Sequence, residues 1–220
     1  MFFHIPLLSL LITLFFIPHL TTANFDLYVV RGEIDTVFPW PDTIGGWIVE
    51  DHDPPSCTEI DPEDATEHSG WKERDDLSHG RLGVRCWPKE HCGVDHINED
   101  PWPKVQGVEM HFTNSPLWHF TIYKDRGYVD GNTLKWPMYG TNGKKYGDCF
   151  VYSGQSFGTC SWHDGHRRLW GQRKFRCLTT VTAEELKKER RKQPDKGEER
   201  GLEVLKGKNG TEARAVVWEG

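Results

Sequence analysis

From about Lys104 onward, apolar and polar positions alternate with a period of two. In "GVEMHFT", Val108, Met110 and Phe112 alternate with Glu109, His111 and Thr113, the pattern of a half-buried strand. "NSP" breaks the chain, and "LWHFTIY" resumes with Trp118, Phe120 and Ile122 on one side. "KDRG", "VDGN" and "GTNGKK" follow as closely spaced turn signals, with Asn142-Gly143 a strong hairpin turn. "DCFVYSG" and "KFRCLTTV" supply two more strands, and in the second Phe175, Cys177, Thr179 and Val181 share a face. Short strands with frequent turns predict a mainly β fold, an antiparallel β-sandwich or meander.

The pattern is weaker before Lys104. "FDLYVVRGEI" and "GGWIVE" each predict a strand, whereas "DHDPPSCTEIDPEDATEHSG" predicts a long acidic loop. At the other end the sheet gives way to a short helix. Thr182 and Glu185 are placed as a capping box before "AEELKKERRK", and Val181 with Leu186 occupies the hydrophobic-staple positions. Beyond it "QPDKGEERG" has little to bury and predicts a charged, flexible tail. Asn209 in that tail heads the only glycosylation sequon, Asn209-Gly210-Thr211.

The first 23 residues contain no Lys, Arg, Asp or Glu, and an apolar run from Ile5 to Ile17 ends at Pro18. Thr21 and Ala23 hold the small-residue positions of a cleavage site, so a secretory signal peptide is expected. The apolar run is shorter than the roughly 20 residues a membrane-spanning helix needs. The organisation predicted is therefore a signal peptide at 1–23, a disulfide-stabilised β domain at 24–182, and a charged helix and tail at 183–220.

Composition supports that division. Hydrophobic residues make up only 36% of the chain, but ten tryptophans supply large burial per residue. Six cysteines, at 57, 86, 92, 149, 160 and 177, form an even set in a chain marked for export, which predicts three disulfides. Spacing alone leaves their pairing open. Charge is uneven: residues 50–76 hold eleven acids against two bases, and residues 167–176 hold five bases and no acid. The net charge of −6 argues against bulk binding to nucleic acid or an anionic membrane.

Several kinds of chemistry compete with plainer roles. His163 and His166 in "HDGH" resemble a metal-binding pair, but Gly165 and the surrounding turn residues do not build a helical zinc motif, so no metal is expected. There is no G-x-S-x-G motif, and no Gly-rich phosphate loop precedes a helix, so no cofactor is expected. Small secreted fungal ribonucleases combine a glutamate, histidines and an arginine on a compact sheet. Glu109 and His111 lie two residues apart on one predicted strand and so on one face, with Arg167, Arg168 or His166 as partners for a phosphate. On an alternating strand, these two are also simply the outward polar residues. The basic-aromatic stretch offers a binding surface instead: Arg167, Arg168, Trp170 and Arg173 are the residues expected to meet a partner.

A signal peptide, six cysteines, many tryptophans, no enzyme motif and a charged tail together resemble the small cysteine-rich secreted proteins of plant-pathogenic fungi. Phe175-x-Cys177 matches the aromatic-x-Cys element of some mildew and rust effector candidates, although there it sits near the mature amino terminus. The resemblance implies a non-enzymatic, secreted effector that binds a host protein and modulates plant immunity, acting outside host cells or after translocation into them. A secreted ribonuclease-like hydrolase and an apoplastic glycan-binding or antimicrobial protein are the alternatives.

Overall fold

The computed structural model describes residues 23–34, 42–51, 70–98, 104–152, 156–161 and 167–193. Residues 1–22 of the expected signal peptide (1–23), Cys57, the "HDGH" histidines, Trp162 and Asn209 all lie outside the described residues. Ten strands follow in chain order: β1 (Ala23–Ile34), β2 (Asp42–Glu50), β3 (Gly83–Trp87), β4 (Gly107–Asn114), β5 (Leu117–Tyr123), β6 (Tyr128–Asp130), β7 (Thr133–Gly140), β8 (Lys145–Val151), β9 (Ser156–Ser161) and β10 (Arg167–Thr179). Among the described residues one α-helix, α1 (Ala183–Arg190), comes after them. The fold is mainly β, as the alternating pattern predicts.

The strands pair antiparallel in the order β2-β1-β10-β8-β7-β5-β4-β3, with β6 on β7 and β9 on β10. The two ends of this path do not hang free. Trp71 exchanges both backbone hydrogen bonds with Trp47 of β2, at 2.7 and 2.8 Å. Three residues on, the amide of Arg74 donates to the carbonyl of Val84 in β3, and Val84 donates back to Lys72. A short irregular segment therefore closes the sheet on itself as a barrel and covers the edges that would otherwise invite pairing.

The interior follows from alternation. Phe25, Leu27, Trp47, Val84, Val108, Met110, Phe112, Phe120, Trp136, Met138 and Phe175 point into one continuous buried cluster. Val181, Ala183 and Leu186 join it, so α1 plugs the barrel with its apolar side. The capping box read from the sequence is present: Glu185 N–H donates to Thr182 Oγ1 at 3.1 Å, and Thr182 N–H donates to Glu185 Oε2 at 3.0 Å.

Two disulfides lie wholly among the described residues. Cys149–Cys177 joins directly opposed positions of β8 and β10, and Cys86–Cys92 ties β3 to the turn that follows it. Cys160 is also oxidised, with its partner outside the described residues. Among the described residues, no helix is long and apolar enough to cross a membrane.

Candidate functional site

Strand alternation that fills the barrel also presents a polar outer face on β3, β4, β5 and β7. With Val108 and Met110 inside, Glu109 and His111 must face outward. Register then sets Arg85, Glu109, Thr121 and Tyr139 in one row across the four strands. His111 faces His119 in the neighbouring row. The turn after β5, Lys124–Arg126, folds back over this face. Its Arg126 guanidinium lies 4.2 Å from the Tyr123 ring centre and 5.3 Å from that of Tyr139.

Together these residues line a cleft of about 460 Å³, walled by Glu109, His119, Tyr123, Arg126, Tyr139 and the backbone near Gly140. At one end, His119 Nε2 donates to Glu109 Oε1 at 2.8 Å. The other carboxylate oxygen faces Arg85 Nε at 3.4 Å. Both side chains keep a partly open edge, 21% exposed for Glu109 and 16% for His119. The hydrogen bond from His119, with the nearby charges of His119 and Arg85, holds the Glu109 carboxyl below its ordinary range, so it stays ionised.

His111 backs this pair. Its ring stacks on His119 with centres 4.4 Å apart and planes 8° from parallel, and the residue is only 3% exposed. Burial, together with the charge on His119, pushes its pKa down and keeps the ring neutral. Leu77, Arg81 and Asn114 surround it, yet neither ring nitrogen makes a well-formed hydrogen bond.

The basic-aromatic stretch reads differently in three dimensions. Arg173 is fully buried, with its guanidinium 2.5 Å from Asp26 Oδ2 and stacked on Tyr152. It therefore cannot belong to an exposed binding surface, which corrects that expectation. The cause is a bulge in β10: Leu27 faces Phe175 and Tyr28 faces Arg173, so Lys174 is an extra residue and the face changes there. Trp170 is half-buried and packs against the core. Arg168 is exposed and pairs with Glu33 at 3.2 Å, while the side chain of Arg167 lies outside the described residues. Arg168 is also remote from Glu109: β8, β7 and β5 separate its strand from β4. Arg85 and Arg126, not the arginines of β10, supply the cations beside Glu109.

Sequence reading therefore brings Glu109 and His111 to this face but does not identify His119, Tyr123, Arg126 and Tyr139 as their companions. One signal was available. A hairpin centred on "NSP" pairs residue 111 with 119, which would have placed the second histidine. Nothing in the local pattern marks the fold-back of Arg126. The chain matches no known family model, no curated protein and no solved structure.

Proposed function

We propose that the chain is an exported, effector-like protein that binds a host component, and that it does so through the cleft over β4, β5 and β7. The observation that carries this reading is the convergence of one cation, two aromatic rings and an ion-paired acid in a single cavity of about 460 Å³. That volume suits one ligand moiety or one anchoring side chain, with a few polar groups to fix its orientation. Export is supported by the oxidised cysteines, which persist where thiols are not kept reduced. The partner's contact group would combine a flat ring, to lie against Tyr139, with negative charge for Arg126.

The test is capture from host tissue with oxidised, tagged protein, run beside two variants. Tyr139→Ala combined with Arg126→Ala is expected to abolish both capture and host-directed activity, with thermal unfolding unchanged within a few degrees. Arg168→Glu is expected to leave both intact. A charge-reversed Arg168 that loses activity while the cleft variant keeps it would return the function to the β10 strip.

A further inference from the structure

Every feature that singles out the cleft is also what one particular reaction requires. Glu109 and His119 form a carboxylate–imidazole pair at 2.8 Å, with Glu109 held ionised. Arg85 steadies the second carboxylate oxygen from the neighbouring strand. A cation and two rings lie beside the pair, and the described residues that line the cavity include Thr121 and Thr141 but no serine or cysteine. An acid–base pair without such a nucleophile suits a substrate that brings its own. RNA does, because each 2′-hydroxyl stands next to a phosphodiester, and single-stranded RNA is held by aromatic stacking and guanidinium contacts.

We infer that the Glu109–His119 pair is an acid–base site that cleaves short single-stranded RNA by internal transesterification. This rests on the reading of the cleft as the protein's ligand site. The 2′-oxygen attacks the adjacent phosphorus, and its proton passes to the Glu109 carboxylate. The P–O5′ bond breaks, and the leaving oxygen takes the proton carried by the His119 imidazolium. The products are a 2′,3′-cyclic phosphate and a free 5′-hydroxyl. The pair is left as carboxylic acid and neutral imidazole, and one proton crossing the 2.8 Å hydrogen bond restores it. No water and no other reactant is consumed.

Each neighbour has a part in this scheme. Arg126 faces the charge that grows on the phosphoryl oxygens. Since its guanidinium covers the Tyr123 ring at 4.2 Å, a base stacks on the more distant Tyr139 ring or on the guanidinium plane. Arg85 is a positioning residue, since it acts through Glu109. Neutral His111, stacked behind His119, keeps the imidazole plane fixed without adding a second charge. The net charge of −6 repels long polyanions, so the substrate is a short strand or loop and turnover falls with chain length.

The experiment incubates the oxidised full-length protein with a short RNA, and with the same sequence carrying 2′-O-methyl groups. The expected result is cleavage of the first only, with a 2′,3′-cyclic phosphate detected by mass spectrometry. Glu109→Gln and His119→Ala should each lower the rate at least about 100-fold, and the double variant little further, because the two act as one unit. Arg85→Lys should keep the substrate KM and lower kcat. Cleavage undiminished by either pair substitution, cleavage of the methylated strand, or a wild-type protein that leaves RNA intact would each overturn the inference. In that last case, capture that still depends on Tyr139 and Arg126 leaves the binding role standing without the chemistry. The methylated substrate needs no altered protein, so misfolding of a variant does not blunt the test.

Discussion

At the scale of single residues, the stacked pair His111–His119 is the most unusual feature of the outer face. An imidazole 3% exposed, 4.4 Å from a second one, gains nothing from carrying a proton in the folded state. In the unfolded chain His111 titrates near its ordinary value of 6.5, so below that pH the unfolded state binds the extra proton. Stability linked to His111 is therefore complete above that value and is lost as pH falls through it. Glu109 works in the same direction but lower: its pKa is depressed on folding, so its contribution is present above 4.5 and is lost as pH falls further. His111→Phe keeps a ring against His119 and removes the proton acceptor. Chemical denaturation from pH 7 to pH 5 should show a shallower decline for the variant. The wild-type excess slope should not exceed about 1.4 kcal/mol per pH unit for one proton. Identical slopes in the two proteins would mean that His111 does not titrate on unfolding.

At the scale of elements, legibility depended on how local the governing rule is. The capping box of α1 is settled by two residues three positions apart, and Thr182 and Glu185 announce it directly. β4 and β5 are equally plain as far as His111, beyond which the register shifts, so that Phe112 is an extra residue between the His111–His119 and Thr113–Trp118 pairs. β10 was misread for the opposite reason. One extra residue, Lys174, reverses the face of everything on one side of it, and periodicity gives no sign of a bulge. The bulge puts Arg173 and Arg176 on the same side, where both reach Asp26, with Arg176 forming two bonds of 2.7 Å. Asp26 is 1% exposed and Arg173 is fully buried, so this pair has left water, while Arg176 keeps a partly open edge. Asp26→Asn should therefore cost about 3–5 kcal/mol, the range for breaking one side of a buried pair. Asp26→Asn with Arg173→Met should recover part of that loss, since the fully buried guanidinium is then no longer left without its counter-charge. Equal stability of the single and double variants, measured by urea unfolding, would show that this pair does not pin β1 to β10.

At the scale of the whole molecule, the barrel is held by contacts that no local pattern reveals. Trp71 and Val84 close the ring through a segment with too few alternating residues to read as a strand. The cysteine pairs were equally hidden, because spacing allows many pairings and only the register of β8 against β10 sets Cys149 opposite Cys177. The two fully described disulfides should matter unequally. Cys149–Cys177 closes a loop of 28 residues in the middle of the sheet, whereas Cys86–Cys92 spans only 6. On loop-closure entropy the first restrains the unfolded chain by about 3–4 kcal/mol and the second by about 2 kcal/mol. Burial does not separate them, since all four cysteines lie in the same core cluster and both changes leave cavities, so loop length decides the order. Paired substitution of Cys149 and Cys177 by alanine should therefore lower stability more than the same change at Cys86 and Cys92. The outer-face cleft lies on β4, β5 and β7, and Cys86 sits next to Arg85 on the strand that steadies Glu109. The shorter disulfide should thus have the smaller effect on unfolding and the larger effect on whatever the cleft binds or cleaves. Urea unfolding and ligand capture measured on the same two variants separate these effects. If both quantities fell together in the same variant, the cleft would be coupled to the barrel as a whole and not to the local anchoring of β3.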